Sequence, residues 1–210
     1  VMKRVHEAIA TIAPHDSRER YSSLGVECIQ GEAKVLSPFE VQVNDKVLTT
    51  KNLIIATGAS PLVPSIPGLK DVPYYTSDTI WNLTELPKRI LVLGGGPIGC
   101  ELAQSFARLG SKVTQVEMAP RILGREDPEV SQLLAQIFKN EGVEILASHK
   151  AVRFVKNELI CEFNAGEVHV PFDVVLLALG RRANLTGFGL EALGVEISSE
   201  GTLAVDEYLR

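Results

Sequence analysis

The stretch Arg89-Ile90-Leu91-Val92-Leu93-Gly94-Gly95-Gly96-Pro97-Ile98-Gly99 decides how this chain folds. It begins with an apolar run rich in leucine and β-branched side chains, the pattern of a strand buried on both faces. Glycines follow at once. Beyond them Ile98, Leu102, Phe106 and Leu109 recur at helical spacing until Gly110, a residue suited to end a helix. A strand passing directly into a helix through Gly94-x-Gly96-x-x-Gly99 predicts a dinucleotide-binding turn. Gly94 permits the tight turn, Gly96 lets a pyrophosphate approach the backbone, and Gly99 lets helix and strand pack closely. Pro97 and Ile98 open the helix, whose unpaired N–H groups and partial positive charge favour phosphate.

The residues downstream extend this unit. Lys112 to Val116 predicts a second strand, and Glu117 follows it. An acidic residue there accepts hydrogen bonds from both hydroxyls of the adenine ribose and repels a 2′-phosphate, which favours NAD(H). Arg121 and Arg125 lie near enough in sequence to hold an extra phosphate, so NADP remains open. Pro128 opens a helix whose apolar face runs through Val130, Leu134 and Phe138, ended by Gly142. Val143 to Leu146 predicts a third strand. Ala151 to Val155, Leu159 to Phe163 and Val168 to Val170 then predict three short strands, with turns at Lys156-Asn157 and Ala165-Gly166. Phe172 to Leu179 reads as a last buried strand before Gly180. The expected class is therefore α/β: a Rossmann-like parallel sheet with helices and a β-meander inserted before its final strand.

Upstream the pattern is different. Val1 to Ala13 predicts an amphipathic helix, and Asp16 with Glu19 has the form of a capping box for a second helix ended by Gly25. Val26 to Ile29, Glu32 to Leu36, Glu40 to Val43 and Lys46 to Thr50 predict short strands. Leu53 to Ala56 predicts a buried strand ending in Thr57-Gly58. Residues 60–73 carry Pro61, Pro64, Pro67 and Pro73, which suits a connector and a domain boundary between about residues 60 and 87.

Composition narrows the function classes. With 210 residues, a net charge of −5, 45% hydrophobic and 22% charged residues, the chain reads as globular, with nothing to suggest a nucleic-acid surface. Its length corresponds to about 1.4 average domains. No apolar run approaches a membrane span. The three cysteines, Cys28, Cys100 and Cys161, are too few and too dispersed for a disulfide scaffold or zinc site, and a cytoplasmic setting is expected. His6, His15, His149 and His169 have no metal-type spacing. A short-chain dehydrogenase would need a Tyr-x3-Lys, and no tyrosine here has a lysine four residues on.

Leu53-Ile-Ile-Ala-Thr-Gly-Ala-Ser, Pro67-Gly68, Thr76-Ser77-Asp78, Leu86-Pro87, Ile90 to Ala103 and Val174 to Asn184 together resemble the pyridine nucleotide-disulfide oxidoreductases. The likeness is strongest to the dihydrolipoamide dehydrogenase and mercuric-reductase-like branch. It implies an FAD-dependent homodimer in which NAD(P)H reduces flavin and flavin reduces a cysteine pair. It assigns Gly94, Gly96, Gly99 and Glu117 to NAD, and Glu101 to a flavin-facing glutamate paired with a lysine. Gly180 and Arg181 would lie beside the nicotinamide, Thr57 and Gly58 near FAD, and Ala33 on its adenine side. Pro97 stands where one branch has a flavin-gating tyrosine. The family's first Gly-x-Gly-x-x-Gly, its Cys-x4-Cys pair, its Gly-Asp motif and its C-terminal domain do not occur here. The resemblance therefore implies an internal fragment, inactive alone: 1–80 a partial FAD domain, 81–190 the NAD(P) domain, 191–210 the return to the FAD domain. FAD would not be retained. A stand-alone dinucleotide-sensing module is the other reading of the same glycine turn.

Overall fold

The computed structural model describes Val1–Leu209 and divides into two compact units. One is Pro61–Arg181 with Met2; the other comprises Val1, Lys3–Ser60 and the chain from Arg182 onward.

The second unit carries helices α1 (Met2–Ile12) and α2 (Arg18–Ser23), followed by strands β1 (Ala33–Ser37), β2 (Glu40–Val43) and β3 (Lys46–Thr49). The strands form an antiparallel meander in the order β1-β2-β3. A short strand β4 (Ala59–Pro61) ends this stretch. Several expectations fail here, for physical reasons. Ser17, not Asp16, caps α2: its Oγ accepts from the Arg20 N–H at 3.1 Å, while Asp16 is the last residue of a 3₁₀ turn. Residues 26–29 are irregular, and so is 53–56, where Ile54 is 88% exposed. An apolar run becomes a buried strand only when neighbours take its N–H and C=O groups, and no described strand pairs with either run.

The Pro61–Arg181 unit is built around a parallel sheet. Its strands are β5 (Tyr74–Thr76), β6 (Arg89–Leu93), β7 (Lys112–Val116), β8 (Glu144–Leu146) and β12 (Val174–Leu177), in the order β5-β12-β6-β7-β8. Helix α3 (Pro97–Leu109) links β6 to β7, and α4 (Pro128–Asn140) links β7 to β8. The antiparallel meander β9 (Lys150–Val155), β10 (Glu158–Phe163), β11 (Gly166–Pro171) intervenes before β12, and β13 (Arg181–Ala183) follows it. The α/β class with its inserted meander is as expected. The hairpin between β10 and β11 turns one residue earlier than expected. Asn164 and Ala165 both have positive φ, so they form the two-residue loop, and Gly166 already pairs with Phe163. Strand β5 was not foreseen from the sequence.

Strand alternation divides the core. Ile90, Val92, Val113 and Leu176 face the helices, packing with Cys100, Ala103, Phe106 and Phe138. Leu91, Leu93, Val116, Val175 and Leu177 face the meander and pack with Phe154, Leu159, Cys161 and Phe172. Period-two alternation thus serves two different apolar layers, one helical and one β. At the foot of the sheet Asp173 fixes β12 beside β6. Its Oδ2 accepts from the Arg89 N–H at 2.9 Å and its Oδ1 from the Arg89 guanidinium at 2.6 Å. That guanidinium holds the Asp173 carboxyl below the usual carboxylate range.

Candidate dinucleotide site

The chain runs from β6 through α3 to β7 and then β8 on one side, and returns to β12 on the other side of β6. The sheet order therefore reverses at β6, and in open α/β sheets ligands bind beside the carboxyl ends of strands at such a point. The glycine turn occupies that position.

Each glycine has a distinct surrounding. Gly94 has φ +109°, and a Cβ there would sit 2.3 Å from the Ala178 carbonyl oxygen. A Cβ on Gly99 would sit 2.3 Å from the Gly94 oxygen. These two glycines are required by the protein's own packing. Gly96 is different: a Cβ there meets nothing within 4 Å. It is the N-cap of α3 with extended backbone, and no side chain caps that end. Pro97 is exposed at the first helical position and Ile98 is half-buried. The unpaired N–H groups at that helix end thus border open space, which fits a phosphate.

Glu117 stands at the carboxyl end of β7, half-buried. Its Oε2 accepts from the Gly95 N–H and its Oε1 from the Ala119 N–H at 2.7 Å. The carboxylate is therefore fixed by backbone donors, and each oxygen keeps further accepting capacity. Gly95, which the motif leaves as an unspecified position, is also sterically bound to this arrangement: a Cβ there would lie 2.9 Å from Glu117. The opposite face of the turn is tied down by the loop after β7, where the Leu123 N–H donates to the Gly95 carbonyl at 2.6 Å. Arg121 clasps that loop. Its guanidinium donates to the carbonyls of Gly124 at 3.0 Å and Glu126 at 2.8 Å. Arg125 is exposed.

Beyond β12, Gly180 has φ +105° and its carbonyl accepts from the Leu62 N–H at 2.9 Å. The Arg181 guanidinium donates to Asp78 at 2.9 Å and to Ser77 Oγ at 3.2 Å. Glu101 lies exposed on the second turn of α3. Ala33, Thr57 and Gly58 belong to the other unit and are exposed. Thr57 Oγ1 donates to the Asn184 carbonyl at 2.7 Å, and Asn184 Nδ2 returns a bond to the Thr57 carbonyl at 3.0 Å.

The cysteines are free thiols. Burial is the main cause raising the Cys100 thiol, outweighing its hydrogen bond with Gln115, and burial pushes Cys161 up to about 11. His149 is packed rather than exposed: its ring stacks on Phe163 with centroids 4.3 Å apart, and Nδ1 lies 2.7 Å from the Ala147 carbonyl. Among the described residues no group of three or more His, Cys, Asp or Glu could hold a metal ion, and no helix is long and apolar enough to cross a membrane.

Known proteins resemble this chain over most of its length. Residues 8–210 match the family described as pyridine nucleotide-disulphide oxidoreductase. A mercuric reductase of Bacillus cereus is 36% identical over 200 residues, which cover 91% of this chain and 32% of that protein. A dihydrolipoyl dehydrogenase of Acholeplasma laidlawii is 37% identical, with 89% of this chain and 56% of that protein covered. The structure of the HOCl-induced flavoprotein disulfide reductase RclA from Escherichia coli, as its Cu(II) complex, superposes with a TM-score of 0.85 at 29% identity. That match covers this whole chain and 48% of RclA. The chain thus spans between about a third and just over half of these relatives. It belongs to the pyridine nucleotide-disulphide oxidoreductase family.

Proposed function

We propose that the Pro61–Arg181 unit binds NAD(H), as the nucleotide-binding portion of a flavin-dependent oxidoreductase. The observation that carries the reading is Gly96: a capless helix end with open space where a Cβ would be, between two glycines that packing demands. Glu117 takes the ribose hydroxyls, and Arg121, spent on loop carbonyls, leaves a 2′-phosphate without its guanidinium. NADH is therefore preferred to NADPH. Gly180 and Arg181 line the nicotinamide end.

In the whole enzyme the nicotinamide would pass hydride to FAD, and the electrons would continue to a disulfide, a quinone-like compound or a metal ion. Glu101 would face the flavin there. Lys3–Ser60 and the chain from Arg182 onward contribute to the flavin-binding part, Pro61–Arg181 to the NAD part, and the enzyme works as a cytoplasmic homodimer. The 210-residue chain alone binds nucleotide without turnover, because its free thiols include no redox pair, and it does not retain FAD, because the family's first Gly-x-Gly-x-x-Gly and its Gly-Asp motif do not occur in it.

Titration of the chain with NADH and NADPH, with an absorbance scan for flavin, tests this. NADH should bind several-fold more tightly, with no flavin absorbance. Equal or tighter binding of NADPH would overturn the role given to Glu117, and stoichiometric flavin would overturn the statement about FAD.

A further inference from the structure

Gln115, the fourth residue of β7, is fully buried, yet its Oε1 has no hydrogen-bond partner. An unsatisfied buried carbonyl is destabilising, so an apolar residue of similar size would serve the core better. What the side chain does contribute is at its other end. Gln115 Nε2 donates to the Gly94 carbonyl at 2.9 Å. The adjoining N–H of the same peptide group, that of Gly95, donates to Glu117. One peptide of the glycine turn is thus gripped at both ends, by a side chain of β7 and by one that directly follows it. The Gly94 N–H is also held by β7, donating to the Val116 carbonyl at 2.8 Å. Gly99 makes room for the amide: a Cβ there would lie 3.2 Å from Gln115 Nε2.

We propose that Gln115 is a positioning residue for the dinucleotide site, setting the plane of the Gly94–Gly95 peptide and through it the Glu117 carboxylate. A donor on the carbonyl polarises the peptide and strengthens donation by its N–H. Without that donor the peptide can tilt, and the carboxylate loses its fixed direction toward the ribose. The inference rests on the dinucleotide reading above.

The test uses the full chain with ADP-ribose as probe, since it carries the ribose and pyrophosphate and is stable in acid. Wild type should bind it. Q115L and Q115M should keep a melting temperature near that of wild type, because removal of the orphaned oxygen offsets the donor lost to the Gly94 carbonyl. Their affinity should nevertheless fall roughly 3- to 10-fold, the equivalent of one lost hydrogen bond. Their preference for NADH over NADPH should shrink as well. Q115E supplies a conservative rescue. Its buried carboxyl, raised by desolvation, donates to Gly94 while protonated and ceases to donate once ionised. Relative to wild type, Q115E should therefore bind well at low pH and progressively worse as pH rises. Wild-type affinity in all folded variants, or loss of affinity only in step with loss of stability and with no pH dependence in Q115E, overturns the proposal. Failure of wild type itself to bind ADP-ribose and NADH would instead overturn the dinucleotide reading.

Discussion

At the scale of single residues, the glycine turn separates what the fold needs from what a ligand needs. Gly94→Ala places a Cβ against the Ala178 carbonyl in a backbone region that alanine avoids. Strained backbone of this kind alone costs on the order of 1–3 kcal/mol. Thermal unfolding should therefore show a clear loss of stability. Gly96→Ala meets no protein atom, so its stability should fall by no more than about 1 kcal/mol, the cost of alanine at a helix N-cap. Its NADH affinity should still drop roughly tenfold, because the methyl group stands where the pyrophosphate approaches. Calorimetric titration beside a melting curve reads both quantities, and unchanged affinity in a folded Gly96→Ala would remove that residue from the site. The motif letters announce Gly94, Gly96 and Gly99 alike. They could not announce Gly95 or Gln115, whose roles depend on side chains of β7 brought against the turn by sheet pairing.

At the scale of elements, β6, α3 and β7 were legible to the residue, since strong local signals coincide: an apolar run, a glycine turn, helical spacing and a capping glycine. Strand β5 was not. Tyr74–Thr76 follows Pro73 and has a weak pattern of its own, and it becomes a strand by pairing in parallel with β12, far along the chain. The run at 53–56 shows the converse, a strong local pattern without partners. Strand β10 carries a testable consequence of burial. Cys161 is buried in the layer between sheet and meander, and its thiol is raised to about 11. A group whose pKa is raised on folding stabilises fully below its unfolded value, near 8.5–9. That contribution is lost as pH rises through the folded value. Stability of the wild type should thus decline between about pH 9 and 11, and Cys161→Val should flatten that part of the profile. An identical alkaline slope in the variant would assign the decline to other groups. Alkylation gives the companion expectation at neutral pH: Cys28, half-buried, should react first, and Cys100 and Cys161 only on unfolding.

At the scale of the whole molecule, apolar burial is distributed very unevenly. Among the described residues, Val35, Val43 and Leu190 alone are buried apolar residues of the unit formed by Lys3–Ser60 and the chain from Arg182 onward, whereas Leu24, Phe39, Val47 and Ile54 are exposed there. All the other buried apolar residues belong to Pro61–Arg181. A domain is stabilised by its own core, so the Pro61–Arg181 segment should fold by itself. Expressed alone, it should melt in a single cooperative transition and bind NADH within about threefold of the full chain, since every residue placed around the glycine turn is retained. The domain boundary predicted between about residues 60 and 87 contains Tyr74–Thr76, which in the structure is a strand of the parallel sheet. Cutting at residue 81 rather than 61 would remove β5, leave the β12 edge unpaired, and expose the core face that Leu69 and Val72 cover. The shorter segment should therefore lose stability or aggregate while the longer one stays monodisperse. Equal melting temperatures for the two segments would show that β5 and the connector contribute nothing to the fold.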